Sequence, residues 1–524
     1  MTREADMNKT ATPAAPGVTQ RATEAENISN VSDYSTTPPE KQEPRFMPYD
    51  SDFSDAGNAA KFAALRKADV AFTKGMGWLV WNVKFWEQSE PRARLMVDNF
   101  TEDMCKEARS RYLEAAAVCK RLETAETKDK DELERARDAA KREKAYFVHA
   151  QRSRDGYKIG AALKLSEPRL IQPDELFDKD WYLLNTPSGV VDLRDGRTLQ
   201  HSPLFYQTKM TAVSPSGKGK RILTEHLNRV SCGDGEFIEG LQVLYGSSLF
   251  GKVFQKGAHF QHGGGHNAKT ATLLAFSMTL GGYAGGFDIH LLTDAFSARD
   301  FVRDAVAFRG RRLMTAEELE PGKKLSTSAL KIITSEGKIH AKALYCEAVD
   351  FLPTHSVIVS TNHLPIVREF DAATWDRIFV WPFRAVIEGA DAVENYGSYL
   401  YENCGGAFLE WAIEGAVKFA ANGYKLKIPR CVEEATANYR RNSVWLAPFL
   451  KSEFIENAPD GKAGTDELYR AYETWAQGKG EKAEGPKTFA QAVRNAGYAP
   501  ARVGTARGFR GIRLVDMPDK IEIL

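Results

Sequence analysis

The middle of the chain carries a glycine-rich stretch that ends in a lysine and a threonine, Gly263-Gly264-Gly265-His266-Asn267-Ala268-Lys269-Thr270. A short segment, Phe260-Gln-His262, leads into this stretch, and an apolar run with helical character follows from Ala271. A strand, a glycine-rich loop and a helix in this order are the setting of a phosphate-binding loop. Glycines allow backbone N–H groups to close around phosphates at a helix N-terminus, which carries partial positive charge.

Residues 263–270 are therefore predicted to bind ATP, and two of them have specific chemical roles. Lys269 is expected to bridge the β- and γ-phosphates, and Thr270 to place its hydroxyl on Mg²⁺. Ala268 stands where the pattern GxxxxGK[ST] has glycine, and a methyl group there costs about 1 kcal/mol if the position needs a positive φ. An alternative interpretation is a glycine-rich turn before a helix, with a surface lysine.

A second segment, Arg311-Arg-Leu-Met-Thr-Ala-Glu317-Glu318, is predicted to be a strand that ends in two carboxylates. Such a strand can hold the water shell of Mg²⁺ and orient the attacking water. We assign Glu317 to the metal side and Glu318 to polarisation of water, although the sequence leaves the order of the two open. Taken alone, a Glu-Glu pair is also common on a solvated surface.

Two further residues complete the predicted catalytic set. Asn362 follows the apolar segment Ser356–Thr361, from which its amide could sense the γ-phosphate or position the lytic water. Its alternative role is that of a turn residue before Pro365. Arg377 precedes another apolar segment, and in a ring it could reach the ATP of the neighbouring subunit as an arginine finger. The alternative for Arg377 is a surface salt bridge.

The chain divides into five segments by composition and pattern. Residues 1–48 bury too little apolar surface to offset their ordering entropy, and we expect a disordered tail. Residues 49–182 are predicted to be mainly helical, and residues 183–234 to form short strands and a linker. Residues 235–442 alternate apolar strands with helices, which is typical of an α/β domain with a mostly parallel sheet. Residues 443–524 suggest three helices and a strand pair, as in a winged helix.

The order of these motifs resembles that of superfamily 3 helicases of the phage, plasmid and poxvirus primase-helicase family. The matching stretches are GGGHNAKT, RRLMTAEE, STNHLP and DAATWDRIFVWPF, with flanking similarity over roughly residues 50 to 515. The resemblance implies a multidomain α/β fold: a helical N-terminal region, an AAA+-like P-loop core and a C-terminal winged helix. It also implies a homo-hexameric ring that moves on single-stranded DNA. We further expect a separate primase or polymerase as a possible partner.

Two surfaces are candidates for DNA contact. By the resemblance, residues 338–347 form the hairpin that projects into the channel of the ring. Lys338 and Lys342 would contact phosphates there, and Tyr345 would stack or pack. The alternative is an ordinary surface hairpin.

The second candidate lies between residues 485 and 513, where six basic residues occur without a single Asp or Glu. This is a local basic surface in a chain whose net charge is only +1. It divides into a recognition helix, Thr488–Tyr498, and a basic wing. The predicted contacts are Lys487, Gln491, Arg494 and Asn495 in and beside the helix, and Arg507 and Arg510 in the wing. The alternative is a small domain that docks on protein.

The sequence thus supports an ATP-dependent DNA helicase of phage or plasmid replication. A second hypothesis is an ATP-switched initiator or loader that binds and opens origin DNA without processive unwinding. The six scattered cysteines form no CxxC pair, which argues against a zinc site. We find no apolar run of membrane-spanning length and no signal-peptide core, so we expect a cytoplasmic protein, in the host cytoplasm if phage-encoded, without a membrane partner.

Overall fold

The structure is a computed structural model that describes residues 52–125, 129–293, 297–342, 348–367, 372–387, 394–442, 446–480 and 482–515. The predicted disordered tail lies outside these residues. Among the helices described, none is both long and apolar enough to cross a membrane.

The N-terminal region is built of helices around a small antiparallel sheet. Serine side chains begin two of the helices: Ser54 accepts a hydrogen bond from the N–H of Gly57, and Ser89 accepts one from that of Arg92. Such caps satisfy donors that the first helical turn leaves unpaired. The elements are α1 (Asp55–Arg66), β1 (Val70–Thr73), β2 (Gly77–Trp81), β3 (Trp86–Gln88), α2 (Glu90–Glu123), α3 (Lys130–Ser153) and α4 (Gly156–Leu170).

A second antiparallel sheet and two helices lead to the central domain. The segment predicted as short strands and a linker contains three short strands followed by a helix. The elements are β4 (Leu183–Thr186), β5 (Gly189–Asp192), β6 (Thr198–Leu199), α5 (Lys220–Val230) and α6 (Gly235–Ser247).

The central domain is a five-stranded parallel sheet in the order β13-β7-β12-β9-β8. This confirms the predicted α/β class with a mostly parallel sheet. The strands are β7 (Ala258–His262), β8 (Ala284–Gly286), β9 (Leu313–Glu317), β12 (Ser356–Thr361) and β13 (Ile378–Pro382). A separate antiparallel pair consists of β10 (Ile339–Ala341) and β11 (Val349–Phe351). The helices are α7 (Lys269–Leu280), α8 (Ala298–Asp304), α9 (Thr327–Ile333), α10 (Ala372–Trp375), α11 (Tyr396–Ala421) and α12 (Arg430–Asn442).

Both faces of the central sheet are buried, each in its own hydrophobic cluster. Along β12, Ile358 belongs to one cluster and Val357 and Val359 to the other. Along β13, Trp381 belongs to the same cluster as Ile358, and Val380 belongs to the same cluster as Val357 and Val359. Successive side chains of a strand point to opposite faces, so a strand covered on both sides must be apolar throughout. This explains why these strands are continuous apolar runs in the sequence.

The C-terminal region differs from the predicted three helices and a strand pair. The elements are α13 (Ala447–Leu450), β14 (Ile455–Gly464), α14 (Thr465–Gly478), α15 (Pro486–Asn495), β15 (Ala499–Val503) and β16 (Ala506–Leu514). The three strands form an antiparallel sheet in the order β14-β16-β15. Strand β14 was missed because Ala458-Pro-Asp-Gly461 is a turn signal, and the pairing of β14 does shift its register between Asn457 and Lys462.

Candidate nucleotide site

The glycine-rich loop lies at the carboxyl edge of the parallel sheet. It connects the end of β7 to the start of α7, and β7 lies between β12 and β13. The chain reaches β8 and β9 on one side of β7 and returns to β13 on the other side. Ligands of open α/β sheets bind at the carboxyl ends of strands where the strand order reverses in this way. The topology therefore makes this edge the expected ligand site.

The loop contains three residues with positive φ. These angles are 96° at Gly265, 49° at His266 and 58° at Ala268. Ala268 is thus in the left-handed region that favours glycine, the residue of the GxxxxGK[ST] pattern, and its methyl group is strained there. No such strain arises at Gly265, since glycine adopts positive φ freely.

Asn267 anchors the loop from inside. Its side chain is buried, and its Nδ2 donates a hydrogen bond of 3.1 Å to the carbonyl oxygen of Phe383. Two backbone hydrogen bonds connect the same segments: Phe383 N donates to His262 O, and Ile387 N donates to His266 O. The segment that follows β13 therefore holds the loop from one side, a contact that no sequence pattern indicated.

Lys269 is buried at the base of the loop with its ammonium group fully occupied. Its Nζ donates to Asn362 Oδ1 at 2.5 Å, to Gly263 O at 3.3 Å and to Asn267 Oδ1 at 3.4 Å. Burial lowers the pKa of Lys269, and the nearby Glu318 carboxylate acts against that shift. An anion in the loop would favour the charged form of Lys269 in the same way.

Thr270 contacts a residue that is absent from the predicted site. Its Oγ1 lies 2.7 Å from the Oγ of Ser360, which is buried near the end of β12. Ser360 is a small polar residue within an apolar strand, one position before Thr361 and two before Asn362. A hydroxyl at the carboxyl end of an otherwise apolar strand was the available signal.

The two carboxylates take different positions. Glu318 accepts two hydrogen bonds from Asn362, one of 3.2 Å from the backbone N and one of 3.1 Å from Nδ2. Glu317 is the last residue of β9 and lies in register with Ser360 of β12. Desolvation, followed by the charge of Glu318, raises the pKa of Glu317. The structure therefore brings Lys269, Asn362 and Glu318 into one hydrogen-bonded row, with Glu317 on the strand next to the Thr270–Ser360 pair.

An open cleft of about 440 Å³ lies over the loop. The cleft is lined by the loop, the first turns of α7, Glu318 and Asn362. The start of α11, residues 395–398, also lines the cleft beside α7, and no sequence pattern indicated this contribution. Gly397 permits this approach, because a Cβ at this position would lie 2.9 Å from Leu274 Cδ2 and 3.2 Å from Ala271 O.

Arg377 is not part of this group of residues. Its carbonyl oxygen accepts a hydrogen bond from the N–H of Ala258, the first residue of β7, whereas the loop follows the last residue of that strand. At a strand rise of about 3.3 Å per residue, the two ends of β7 are about 13 Å apart. Its guanidinium donates to Ala373 O within its own segment. Arg377 thus lies at the opposite edge of the sheet from the cleft of its own chain.

The predicted channel hairpin corresponds to β10 and β11. Lys338 and Lys342 are exposed at the two ends of β10, and the backbone N of Lys342 donates to Val302 O. Tyr345 lies outside the described residues, so its role stays a prediction.

The predicted recognition helix corresponds to α15, which ends at Asn495 rather than at Tyr498. Gln491, Arg494 and Asn495 do share one face: Gln491 Nε2 donates to Asn495 Oδ1 at 3.1 Å, and Arg494 donates to Gln491 Oε1 at 3.4 Å. Lys487, in the first turn of α15, is exposed as well.

The two wing arginines lie on opposite faces of β16. Phe509 is buried among the helices of the C-terminal region, so Arg507 shares the helix side of the strand and Arg510 points to the other side. Arg507 is paired across the hairpin with Arg502, and Arg510 is paired across β14–β16 with Lys462. Like charges directly opposite each other on a sheet are destabilising, so both pairs favour an anionic partner.

Comparison with known proteins identifies relatives of the chain. The sequence model described as "D5 N terminal like" matches residues 59–238. A helicase-named protein of Acanthamoeba polyphaga mimivirus is 27% identical over 212 residues, which is 39% of this chain and 22% of that protein. A helicase-named protein of Frog virus 3 is 26% identical over 233 residues, which is 41% of this chain and 24% of that protein. These matches span about a quarter of the length of the viral proteins.

Among solved structures, the apo C-terminal region of NrS-1 covers 61% of this chain and 82% of its own, with a TM-score of 0.35 and 11% identity. A TM-score of this size establishes no shared fold. The D5 N-terminal-like region and the helicase-named viral relatives are the informative matches. Together they relate part of this chain to the phage and viral primase-helicase family.

Proposed function

We propose that the protein is an ATP-dependent DNA helicase of phage or plasmid replication that moves on single-stranded DNA as a homo-hexameric ring. The observation that carries this proposal is the hydrogen-bonded row of Lys269, Asn362 and Glu318 at the carboxyl edge of the parallel sheet. A cation, an amide and a carboxylate in one row are the groups needed to bind a γ-phosphate and orient the water that attacks it. The helicase names of the viral relatives support the same activity.

We place ATP in the cleft in one orientation. The phosphates occupy the loop, where backbone N–H groups at the start of α7 and the Lys269 ammonium attract negative charge. The apolar side of the cleft, formed by Ala271, Leu274 and Tyr396, accepts the base and ribose. A volume of about 440 Å³ falls in the range of ordinary small-molecule sites.

The oxygen ligands at the site suit Mg²⁺, which prefers hard oxygen donors and retains several waters. When bound, the ion would neutralise charge that develops between the β- and γ-phosphates. We assign Thr270 and Glu317 to this side of the cleft, because Thr270 contacts Ser360 and Glu317 lies in register with Ser360. Glu318 then orients the attacking water, with its own position fixed by Asn362.

A ring explains the position of Arg377. This residue lies at the edge of the sheet opposite to its own cleft, so it can stabilise transition-state charge only on a nucleotide held by another subunit. We therefore propose that Arg377 acts in trans and that hydrolysis requires assembly.

The DNA contacts belong to two surfaces. Lys338, Lys342 and Tyr345 contact single-stranded DNA in the channel. Helix α15 and the wing form a winged helix that binds duplex DNA, for which the order helix, strand, two helices and hairpin, together with its basic residues, is the support. A primase or polymerase acts as a separate partner of this assembly.

The deciding experiment measures ATP hydrolysis with and without single-stranded DNA, strand displacement on a forked duplex, and native mass. We expect DNA-stimulated hydrolysis by an oligomer, and a loss of about 100-fold or more on Lys269→Ala. The joint change Glu317→Gln and Glu318→Gln should have a similar effect. Matched controls are Lys256→Ala and Glu320→Gln, whose side chains form surface pairs with Glu336 and Lys323.

Three results would contradict the proposed ring-forming helicase. A monomer without DNA stimulation would exclude the ring, and hydrolysis unchanged by the paired glutamate changes would point to a decayed site. Specific duplex binding with no strand displacement would instead support the initiator or loader.

A further inference from the structure

A buried histidine outside the candidate nucleotide site connects α7 and α11, two helices that line the cleft. His226 lies on α5, is almost completely buried, and has hydrogen-bond partners at both ring nitrogens. Its Nδ1 lies 3.1 Å from the hydroxyl of Tyr396 in the first turn of α11. Its Nε2 lies 2.9 Å from the Oγ1 of Thr272 on α7. Thr272 in turn donates to the carbonyl oxygen of Ala268 at 2.7 Å.

These contacts allow only one direction of hydrogen bonding. The single hydroxyl proton of Thr272 is used on the Ala268 carbonyl, so Thr272 must accept from His226 Nε2–H. His226 Nδ1 is then the acceptor of the Tyr396 hydroxyl. Burial lowers the pKa of His226 to about 4, which keeps the ring neutral near pH 7, as one acceptor nitrogen requires. All three donors therefore point the same way, from α11 toward the loop.

This series of hydrogen bonds ends at Ala268, the strained residue of the loop. Ala268 has a φ of 58°, and its carbonyl oxygen accepts from both the Oγ1 and the backbone N of Thr272, the latter at 2.9 Å. The Ala268 carbonyl and the Lys269 N–H belong to one planar peptide unit. Fixing this carbonyl therefore also fixes the direction of the Lys269 N–H at the start of α7.

We propose that Tyr396, His226 and Thr272 are positioning residues that hold Ala268 in its left-handed conformation and link the loop to the start of α11, which also lines the nucleotide cleft. This inference rests on the proposed ATPase function. A glycine at 268 would need no such support, because glycine adopts positive φ without strain. Ala268 instead depends on surrounding contacts to remain in this conformation.

The test compares changes that remove one hydroxyl or both ring nitrogens: Thr272→Val, Tyr396→Phe and His226→Phe. Each should lower kcat/KM for ATP about ten-fold, since each breaks a buried hydrogen bond. The matched control is Thr279→Val, the same change on the same helix. Thr279 is also fully buried, and its hydroxyl has no hydrogen-bond partner among the described residues. This control should change kcat/KM less than about two-fold.

The decisive measurement repeats Thr272→Val in the Ala268→Gly background. If the hydrogen bonds act by keeping Ala268 at positive φ, the ten-fold loss of kcat/KM should shrink to less than about two-fold, because glycine adopts positive φ without them. An equal loss in both backgrounds would mean that Thr272 contributes only to packing, and it would overturn the inference. Lys269→Ala distinguishes failure of the positioning role from failure of the proposed function. If it abolishes hydrolysis while Thr272→Val matches Thr279→Val, only the positioning role fails; if it changes nothing, the proposed function itself fails.

Discussion

At the scale of single residues, Gly263 has the least room for a side chain in the candidate phosphate loop. A Cβ at this position would lie 2.1 Å from Asn267 Nδ2 and 2.3 Å from Phe383 O, the two groups that anchor the loop from inside. Gly264 is next in the chain, and a Cβ there would meet nothing within 4 Å. Two adjacent glycines of the same motif thus have different reasons to be glycine.

We expect Gly263→Ala to raise the Kd for ATP at least about ten-fold, because the added methyl group forces Asn267 away from Phe383 and costs about 1–3 kcal/mol. Gly264→Ala is the matched control and should change ATP affinity little. Binding of a fluorescent ATP analogue, together with thermal unfolding of both variants, measures the effect. Equal losses in the two variants would contradict the steric explanation.

Ala268 shows what the sequence and the structure each contribute. Its identity at a glycine position is visible in the sequence, but its φ of 58° and the contacts that maintain that angle are not. Ser360 and His226 are the opposite case. They lie far from residues 263–270 in the chain; Ser360 contacts Thr270 because β12 packs beside the loop, and His226 contacts Thr272 because α5 packs beside α7.

At the scale of elements, the C-terminal sheet separates its basic residues between two faces. Arg502 and Arg507 lie opposite each other on the side of α15, whereas Arg510 and Lys462 lie on the other side. Only the first pair lies on the same side of the sheet as α15. Arg507 and Arg510 belong to one basic stretch in the sequence, and only the alternation of side chains along β16 separates them.

We expect the joint change Arg502→Ala and Arg507→Ala to weaken duplex binding and to reduce the slope of log K against log salt by about 2, one for each phosphate that is no longer neutralised. Arg510→Ala should have a smaller effect on the same duplex. Arg513→Ala is the control, since Arg513 pairs with Glu456 at 3.6 Å. Salt titrations of duplex binding measure these slopes. A decrease on Arg510→Ala as large as that of the joint change would contradict the assignment of faces.

At the scale of the whole molecule, one carboxylate helps to join the N-terminal region to the central domain. Asp174 accepts hydrogen bonds from Thr73 Oγ1 and Gly75 N, and it pairs with Arg309 at 3.0 Å. Arg309 also donates to Gly75 O. The contact therefore ties the first sheet to the segment just before β9, which carries Glu317.

Three buried histidines should make the folded protein sensitive to acid. Burial lowers the pKa of His226 to about 4, of His259 to about 3 and of His355 to about 4. The unfolded chain takes up protons near pH 6.5 while the folded chain does not, so the free energy of unfolding falls as the pH drops below 6.5. This loss continues toward the folded pKa values and amounts to about 1.4 kcal/mol per pH unit for each histidine.

Urea unfolding between pH 7.5 and 5 checks this prediction. His355→Gln keeps a donor for the Ile333 carbonyl and removes the titrating ring, so the loss of stability between pH 7.5 and 5 should be smaller by about 2 kcal/mol in total. The control is His340→Gln, a change in an exposed side chain of the β10–β11 pair. Unchanged pH dependence in His355→Gln would contradict the assignment.

The sequence by itself determined the α/β class and the residues with which the site was first defined, Lys269, Glu317, Glu318 and Asn362. It could do so because strands buried on both faces must be apolar, and because polar residues at their carboxyl ends are then conspicuous. Tertiary structure alone decided three further features: Ser360 beside Thr270, residues 395–398 in the lining of the cleft, and the opposite faces of Arg507 and Arg510. These depend on strand order, register and helix packing, which join residues distant in the chain and leave no local pattern.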